Sequence, residues 1–297
     1  MKHISDALNG FFSDIDAVME AADKSSAGTP QLGVAGIATG FSDLDRLTGG
    51  FQRSDLIVVA GATSMGKTSL ALGVAYGAAV GHGQKVAFFT LETSSGAVVN
   101  RILSMETGVD THRLRLGQID DNEWDRISRA FGRIGEAGIY IDDTAVNILD
   151  ICAKARRLHA EQGLDLIILD YLQLVTVDYG ASRTQEISEI TRRLKVLARE
   201  LDVPIVALSQ LSRSVERRAS HMPMLTDLRD SGSIEEDADI VIFIHREDMY
   251  EDDSDRKGIA EIRVAKHRNG PVGSINLRFF DRTARFADME LYPGPGM

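Results

Sequence analysis

Cysteine is almost missing: Cys152 is the only one in 297 residues. A single thiol excludes a disulfide framework and a cysteine-based zinc site, and a reducing, cytoplasmic compartment is the default for such a chain. Long apolar runs are missing as well. No stretch reaches the ~18 residues of a transmembrane helix, and the opening MKHISDALNGFF has no basic segment leading into an apolar one. Neither a membrane span nor a secretory signal is expected. Basic residues are the minority, 33 Lys and Arg against 44 Asp and Glu, for a formal net charge of −11. That sum opposes a protein coated in nucleic acid, but it hides local stripes. Arg183–Arg218 holds eight basic and five acidic residues, whereas Glu247–Lys257 holds six acidic and two basic. At 43% apolar and 26% charged, the composition is that of a globular protein, long enough for one large domain or two small ones.

The first twenty residues set Ile4, Ala7, Leu8, Phe11, Phe12, Ile15, Val18 and Met19 at steps of 3 and 4, one continuous helical face. Residues 22–36 are small, polar and Gly/Pro-containing, a linker. The expected organisation is a helix over 1–21, a flexible linker over 22–36, a main domain over 37–290 and a tail over 291–297. The tether lets the helix fold back on its own domain or dock on a neighbouring subunit.

From Gly40 onward, apolar strands alternate with helices. Strands are expected at Asp55–Gly61, Lys85–Leu91, Ile139–Asp142, Leu164–Asp170, Val203–Ser209 and Asp239–His245. Helices are expected at Lys67–Val80, through most of 94–135 with Trp124, Ile127, Ala130 and Phe131 on one face, at Asn147–Glu161 with Asn147 and Asp150 as capping pair, and at Glu186–Leu201. Residues 259–286 read as a hairpin around Asn269-Gly270. Continuous apolar strands separated by helices imply an α/β fold, a mostly parallel sheet covered on both faces.

Between the first strand and the first helix lies Gly61-Ala62-Thr63-Ser64-Met65-Gly66-Lys67-Thr68, followed by Ser69. This is the phosphate-loop pattern G-x-x-x-x-G-K-[ST] in its proper strand–loop–helix setting. Glycines allow backbone N–H groups to turn around an anion, and the helix N-terminus adds partial positive charge. Lys67 can reach the β- and γ-phosphates of ATP, and the Thr68 hydroxyl can ligate Mg²⁺. Asp170 closes an apolar strand and is placed to hold the same Mg²⁺. Glu92 follows the second strand, where a carboxylate can activate water, or can be an ordinary loop glutamate. Gln210 ends a further strand, where an amide could sense the γ-phosphate.

The segments GATSMGKTSLAL, FFTLET, LIILDYLQL, EISEITRRLKVLAREL, VPIVALSQLSRSVERR, PMLTDLRDSGSIEEDAD and VAKHRNGP resemble, in order, the C-terminal motor domain of replicative DNA helicases of the DnaB type. The resemblance runs from about Gly36 to Phe286. It implies a RecA-like core, a homo-hexameric ring and ATP-driven 5′→3′ translocation on single-stranded DNA. It implies Glu92 as catalytic base, Asp170 as the Mg²⁺-holding acid and Gln210 as γ-phosphate sensor. It adds Lys266 and Arg268 as a pair reaching the neighbouring subunit's γ-phosphate; from the residues alone, two solvated cations beside a turn are the simpler reading. It adds Arg229, Asp230 and Gly232 as a pore loop on the DNA backbone. Arg183, after the Asp170 strand, is a second pore candidate or a solvated residue before a helix. The pore-loop region has basic and small residues but no aromatic platform, so sequence-tolerant backbone contact is the expected mode.

Two departures stand out. Ala62-Thr63 occupies the place of the family's usual Arg-Pro. The family's separate N-terminal helical domain, which engages primase, is not expected from residues 1–36, so a natural short form or a truncated one is implied. A primase or a helicase loader remains a possible partner. In the family the linker helix packs on the adjacent motor domain, which favours that docking for Ile4–Met19. Competing readings are a recombinase filament of the RecA class, a small-molecule P-loop kinase and a nucleotide-binding scaffold without turnover. No lid-like arginine cluster favours the kinase, and the filled catalytic positions oppose the scaffold.

Overall fold

The computed structural model describes residues 34–178, 182–212, 215–218, 220–251 and 253–289. The expected N-terminal helix and most of its linker lie outside the described residues.

A nine-stranded sheet runs through the domain in the order β3-β2-β4-β5-β1-β6-β7-β8-β9. Its strands are β1 (Leu56–Gly61), β2 (Val86–Thr90), β3 (Ile139–Asp142), β4 (Leu166–Asp170), β5 (Ile205–Gln210), β6 (Ile240–His245), β7 (Ile259–His267), β8 (Gly273–Phe280) and β9 (Arg285–Asp288). The first six pair in parallel, and β6 to β9 pair antiparallel. The expected hairpin is therefore part of a three-stranded extension. β9 escaped the sequence reading because only the short turn Asp281–Thr283 separates it from β8, so its first residues read as the end of the hairpin.

Alternation along each strand divides the core in two. Ile57 and Val59 of β1, Ile168 of β4 and Ile242 of β6 face one layer. Leu56, Val58, Leu169 and Phe243 face the other. The first layer is covered by α1 (Ser42–Thr48), α2 (Lys67–Tyr76) and α3 (Ser95–Thr107), through residues such as Leu44, Leu70 and Ile102. The second is covered by α6 (Ile148–Gln162) and α7 (Arg183–Leu201), through Ile151, Ile190, Leu194 and Leu197. Cys152 is packed in that second layer, and burial pushes its thiol pKa up. Asn147 caps α6 as expected, but its side chain accepts from Leu149 N, two residues on.

The stretch 94–135 is three helices: α3, α4 (Thr111–Leu116) and α5 (Asp121–Gly135). The face of α5 is rotated from its expected direction. Glu123, Ile127 and Ala130 are buried, while Trp124 and Phe131 are 60% and 71% exposed at the rim. The reason is polar. Glu123 accepts both arms of Arg113 on α4, at 2.5 and 2.8 Å, and closes a capping box with Asp120. A bidentate pair of this kind turns that side of α5 inward and the aromatics outward. Among the described residues, no helix is long and apolar enough to cross a membrane.

Candidate active site

Ligands of open parallel sheets bind beyond the carboxyl ends of the strands. There, β1 ends at Gly61 opposite Gln210 of β5, and β2 ends at Thr90 opposite Asp170 of β4. The ladder continues one residue further, Leu91 N donating to Asp170 O at 2.8 Å, which sets Glu92 beside Asp170. These ends open into a cavity of about 950 Å³ lined by Thr63, Ser64, Gly66, Lys67, Thr68, Ser69, Glu92, Asp170 and Gln210.

The loop between β1 and α2 requires glycine at Gly66. Its φ is 98°, and a Cβ there would meet the Phe286 ring at 2.9 Å. Ala62 and Met65 are buried at the base of the loop. Ser64 adopts a left-handed φ of 65° without being glycine. The Lys67 ammonium donates to Gly61 O and Ala62 O, each at 2.9 Å, so it is fixed over the loop. Burial lowers its pKa, opposed by the charges of Asp170 and Glu92.

Thr68 Oγ1 donates to Asp170 Oδ2 at 2.8 Å. Asp170 is buried, and that burial raises its pKa; Glu92 raises it further, while Thr68, Arg101 and Lys67 pull it down. A hydroxyl and a carboxylate side by side are the hard oxygen donors that suit Mg²⁺, which needs one or two protein oxygens when phosphates supply the rest. Among the described residues, no group of three or more His, Cys, Asp or Glu could hold a metal alone. The donor set thus fits a phosphate-bound Mg²⁺.

Gln210 is held twice. Its N–H donates to Gln173 Oε1 and its carbonyl accepts from Gln173 Nε2, both at 3.1 Å. Its own Nε2 donates to Thr63 Oγ1 at 2.9 Å. Gln173 lies in the LIILDYLQL segment, where nothing local marks it as a partner of Gln210. Sequence reasoning also missed the far wall of the cavity: Asn100 and Arg101 from α3, His112 and Arg115 from α4, and Phe279 from β8. Arg101 and Arg115 in this wall stand on packed helices rather than in a lid. No local pattern marks them, because α3 and α4 are brought there by packing.

Lys266 and Arg268 are elsewhere. Val241 and Ile240, at the start of β6, pair with Lys266 and His267, and Ile240 also pairs with Ile57, four residues before Gly61. The pair therefore sits at the opposite edge of the sheet, roughly 13 Å along the strands from the loop. Lys266 Nζ donates to Glu235 O and Ala238 O at 2.5 and 2.7 Å, and Arg268 Nη2 donates to Glu236 O at 2.6 Å. Both cations thus hold the C-terminal carbonyls of α8 (Gly232–Asp237). Arg229 and Asp230 fall in the turn Leu225–Ser231 that leads into α8, and Gly232 opens it; their side chains lie outside the described residues. Arg183 opens α7 and is committed internally, to Glu186 Oε2 at 2.5 Å and Gln173 O at 2.7 Å.

Fold and site together define a RecA-like nucleotide-binding domain of the P-loop class. Comparison with known proteins narrows this: the chain belongs to the DnaB-like helicase family, whose C terminal domain model matches residues 36–288. It is 50% identical over 260 residues to the replicative DNA helicase DnaB of Geobacillus stearothermophilus, and 47% identical over 260 residues to the replicative DNA helicase DnaC of Bacillus subtilis (strain 168). Each match covers 86% of this chain and 57% of the relative, so the chain spans little more than half their length. Among solved structures it resembles the ATPase domain of G40P, with a TM-score of 0.87 and 35% identity over 97% of this chain and 99% of that one. It also resembles a DnaB-like replicative helicase studied for its interactions with primase, with a TM-score of 0.84 and 36% identity over 97% of this chain and 67% of that one.

Proposed function

We propose that this chain is the motor of a replicative DNA helicase, hydrolysing ATP between copies of itself arranged in a hexameric ring and moving 5′→3′ along single-stranded DNA. The observation that carries the reading is the division of the site. The phosphate loop, Asp170, Glu92 and Gln210 share one cavity, while Lys266 and Arg268 stand at the opposite edge of the sheet. A second copy would be needed to bring those cations to a γ-phosphate.

In this reading the loop N–H groups and Lys67 hold the β- and γ-phosphates, and Thr68 and Asp170 hold Mg²⁺. When bound, Mg²⁺ neutralises the charge developing on the phosphate oxygens. The Glu92 carboxylate orients the attacking water and takes its proton. Gln210 registers whether the γ-phosphate is present. The neighbouring Arg268 stabilises transition-state charge in trans, which a guanidinium does through planar paired donors. Losing the γ-phosphate removes contacts that hold the interface closed, and each pore turn moves with its own subunit.

The remaining assignments follow. Residues 37–290 are the motor, 291–297 its tail, and Arg229, Asp230 and Gly232 face the DNA; Arg183 would join them only by leaving Glu186 and the Gln173 carbonyl. The apolar face of Ile4–Met19 docks on a neighbouring copy, where the exposed Trp124 and Phe131 of α5 offer an aromatic rim. A primase or a loader joins through the ring. The test is steady-state ATP hydrolysis with and without single-stranded DNA over a range of protein concentrations. Stimulation by DNA, with specific activity rising as protein rises, supports a shared-site motor. Turnover indifferent to both means a self-contained ATPase.

A further inference from the structure

We propose that Thr63 is a positioning residue: its hydroxyl sets the orientation of the Gln210 amide and thereby how sharply the site distinguishes a nucleoside triphosphate from a diphosphate. The inference rests on the reading of Gln210 as γ-phosphate sensor and deepens it.

Gln210 faces Gly61 across the β1–β5 ladder, so its Cα is fixed to the root of the phosphate loop. The Gln173 amide grips its backbone from the other side, donating to its carbonyl and accepting from its N–H. What freedom Gln210 has lies in its exposed side chain. A glutamine amide there would sample many rotamers, and a sensor that samples many rotamers discriminates poorly. Thr63 removes that freedom. Its Oγ1 accepts from Gln210 Nε2 at 2.9 Å and so engages one of the two amide hydrogens. The amide nitrogen is then anchored at the wall of the cavity that Thr63, Lys67 and Gln210 all line, with its second hydrogen still unused by Thr63.

Thr63 suits the task for two reasons. Its β-branched side chain is stiff about χ1, so the acceptor stays where the backbone puts it. That backbone is itself constrained, because the next residue, Ser64, is held at a φ of 65°. The bond also joins the phosphate loop to the strand that leads towards the Leu225–Ser231 turn, through Ser212 N donating to Asp227 O at 3.4 Å. Alanine or proline at position 63 has no side-chain acceptor and could not make the link.

The experiment compares wild type with T63V, T63S, Q210A and the T63V/Q210A double variant of the full chain. Thr63 is exposed in the cavity, so valine keeps the branched shape without touching the core. Affinities for ADP and for a non-hydrolysable ATP analogue, each with Mg²⁺, are measured by calorimetry, and kcat and KM for ATP are measured alongside. T63V and Q210A should each lower the triphosphate-to-diphosphate affinity ratio about tenfold, the scale of one hydrogen bond to a charged group. The double variant should lose no more than either single one, T63S should restore the ratio, and kcat in T63V should fall more than KM rises. If Q210A lowers the ratio and T63V does not, the role of Thr63 is overturned and the sensor stands. If T63V weakens both nucleotides alike, Thr63 merely shapes the loop and the proposal fails. If Q210A itself leaves the ratio unmoved, the sensor reading fails and this one with it.

Discussion

Thr68 Oγ1 and Asp170 Oδ2 are 2.8 Å apart, and this hydrogen bond ties the first turn of α2 to the last residue of β4 across the face of the cavity. In the proposed reading it joins the loop that would hold phosphate to the carboxylate that would hold Mg²⁺. The carboxylate is under electrostatic load there, since burial and Glu92 both oppose its ionised form. D170N should therefore melt no lower than wild type at pH 7, because it removes a buried charge beside Glu92. It should also lose Mg²⁺-dependent turnover by at least about a hundredfold. Thermal denaturation and an ATPase assay on the same preparation check both halves. A variant that loses activity and stability together would mean that Asp170 is structural.

Glu92 lines the same cavity beside Asp170. E92Q keeps its size and a polar end but cannot take a proton. ATP affinity should change less than about threefold, while the single-turnover hydrolysis rate falls about 10²- to 10⁴-fold, the usual contribution of a general base. Quenched-flow measurement of the chemical step separates the two.

Arg229 precedes α8 in the turn that the proposed reading turns toward DNA. A backbone contact carries no sequence information. R229A should weaken binding to poly-pyrimidine and mixed-sequence oligonucleotides by similar factors. It should also lower the slope of log K against log salt by about 0.7 for each phosphate that the arginine had neutralised. Fluorescence anisotropy at several salt concentrations reads both. A sequence-dependent loss would place a base against this turn.

A pH-dependent contribution to stability is built in at the opposite edge of the sheet. Asp55 is raised to about 6 by burial and by its neighbour Asp239. A carboxyl whose folded pKa exceeds its unfolded value binds protons more tightly in the native state, so stability falls as pH rises from about 4 to about 6 and stays lower above. D55N should therefore raise stability at pH 7.5 by about 1 kcal/mol, after allowance for solvent screening, and should change nothing near pH 3.5. Urea denaturation at the two pH values tests the sign.

Much of this domain is legible in the amino-acid sequence because its strands are buried on both faces. Runs such as Leu164–Asp170 and Asp55–Gly61 are too short for a typical buried helix, and each is expected within two residues of its observed bounds. The phosphate loop is legible because only its glycine spacing permits φ of 98° at Gly66 against an aromatic ring. The α5 face was less so, since the period shows Trp124 and Phe131 as apolar but cannot show that Arg113 draws Glu123 inward. Arg101, His112 and Arg115 enter the cavity only by the packing of α3 and α4, which leaves no local trace. Lys266 and Arg268 were legible only through resemblance. Their placement on the carbonyls of α8 links the proposed trans cations to the helix that follows the proposed DNA turn.

In the proposed ring, one copy supplies the phosphate loop and Glu92 while its neighbour supplies Arg268. The most direct test mixes E92Q protein with R268A protein, each nearly inactive alone, and measures ATP hydrolysis as the ratio is varied. Mixed assemblies contain interfaces with an intact Glu92 on one side and an intact Arg268 on the other. Shared sites should give activity well above the sum of the separate proteins, greatest near equal proportions. Activity that never exceeds that sum, or an R268A protein that hydrolyses ATP at the wild-type rate, would contradict shared sites.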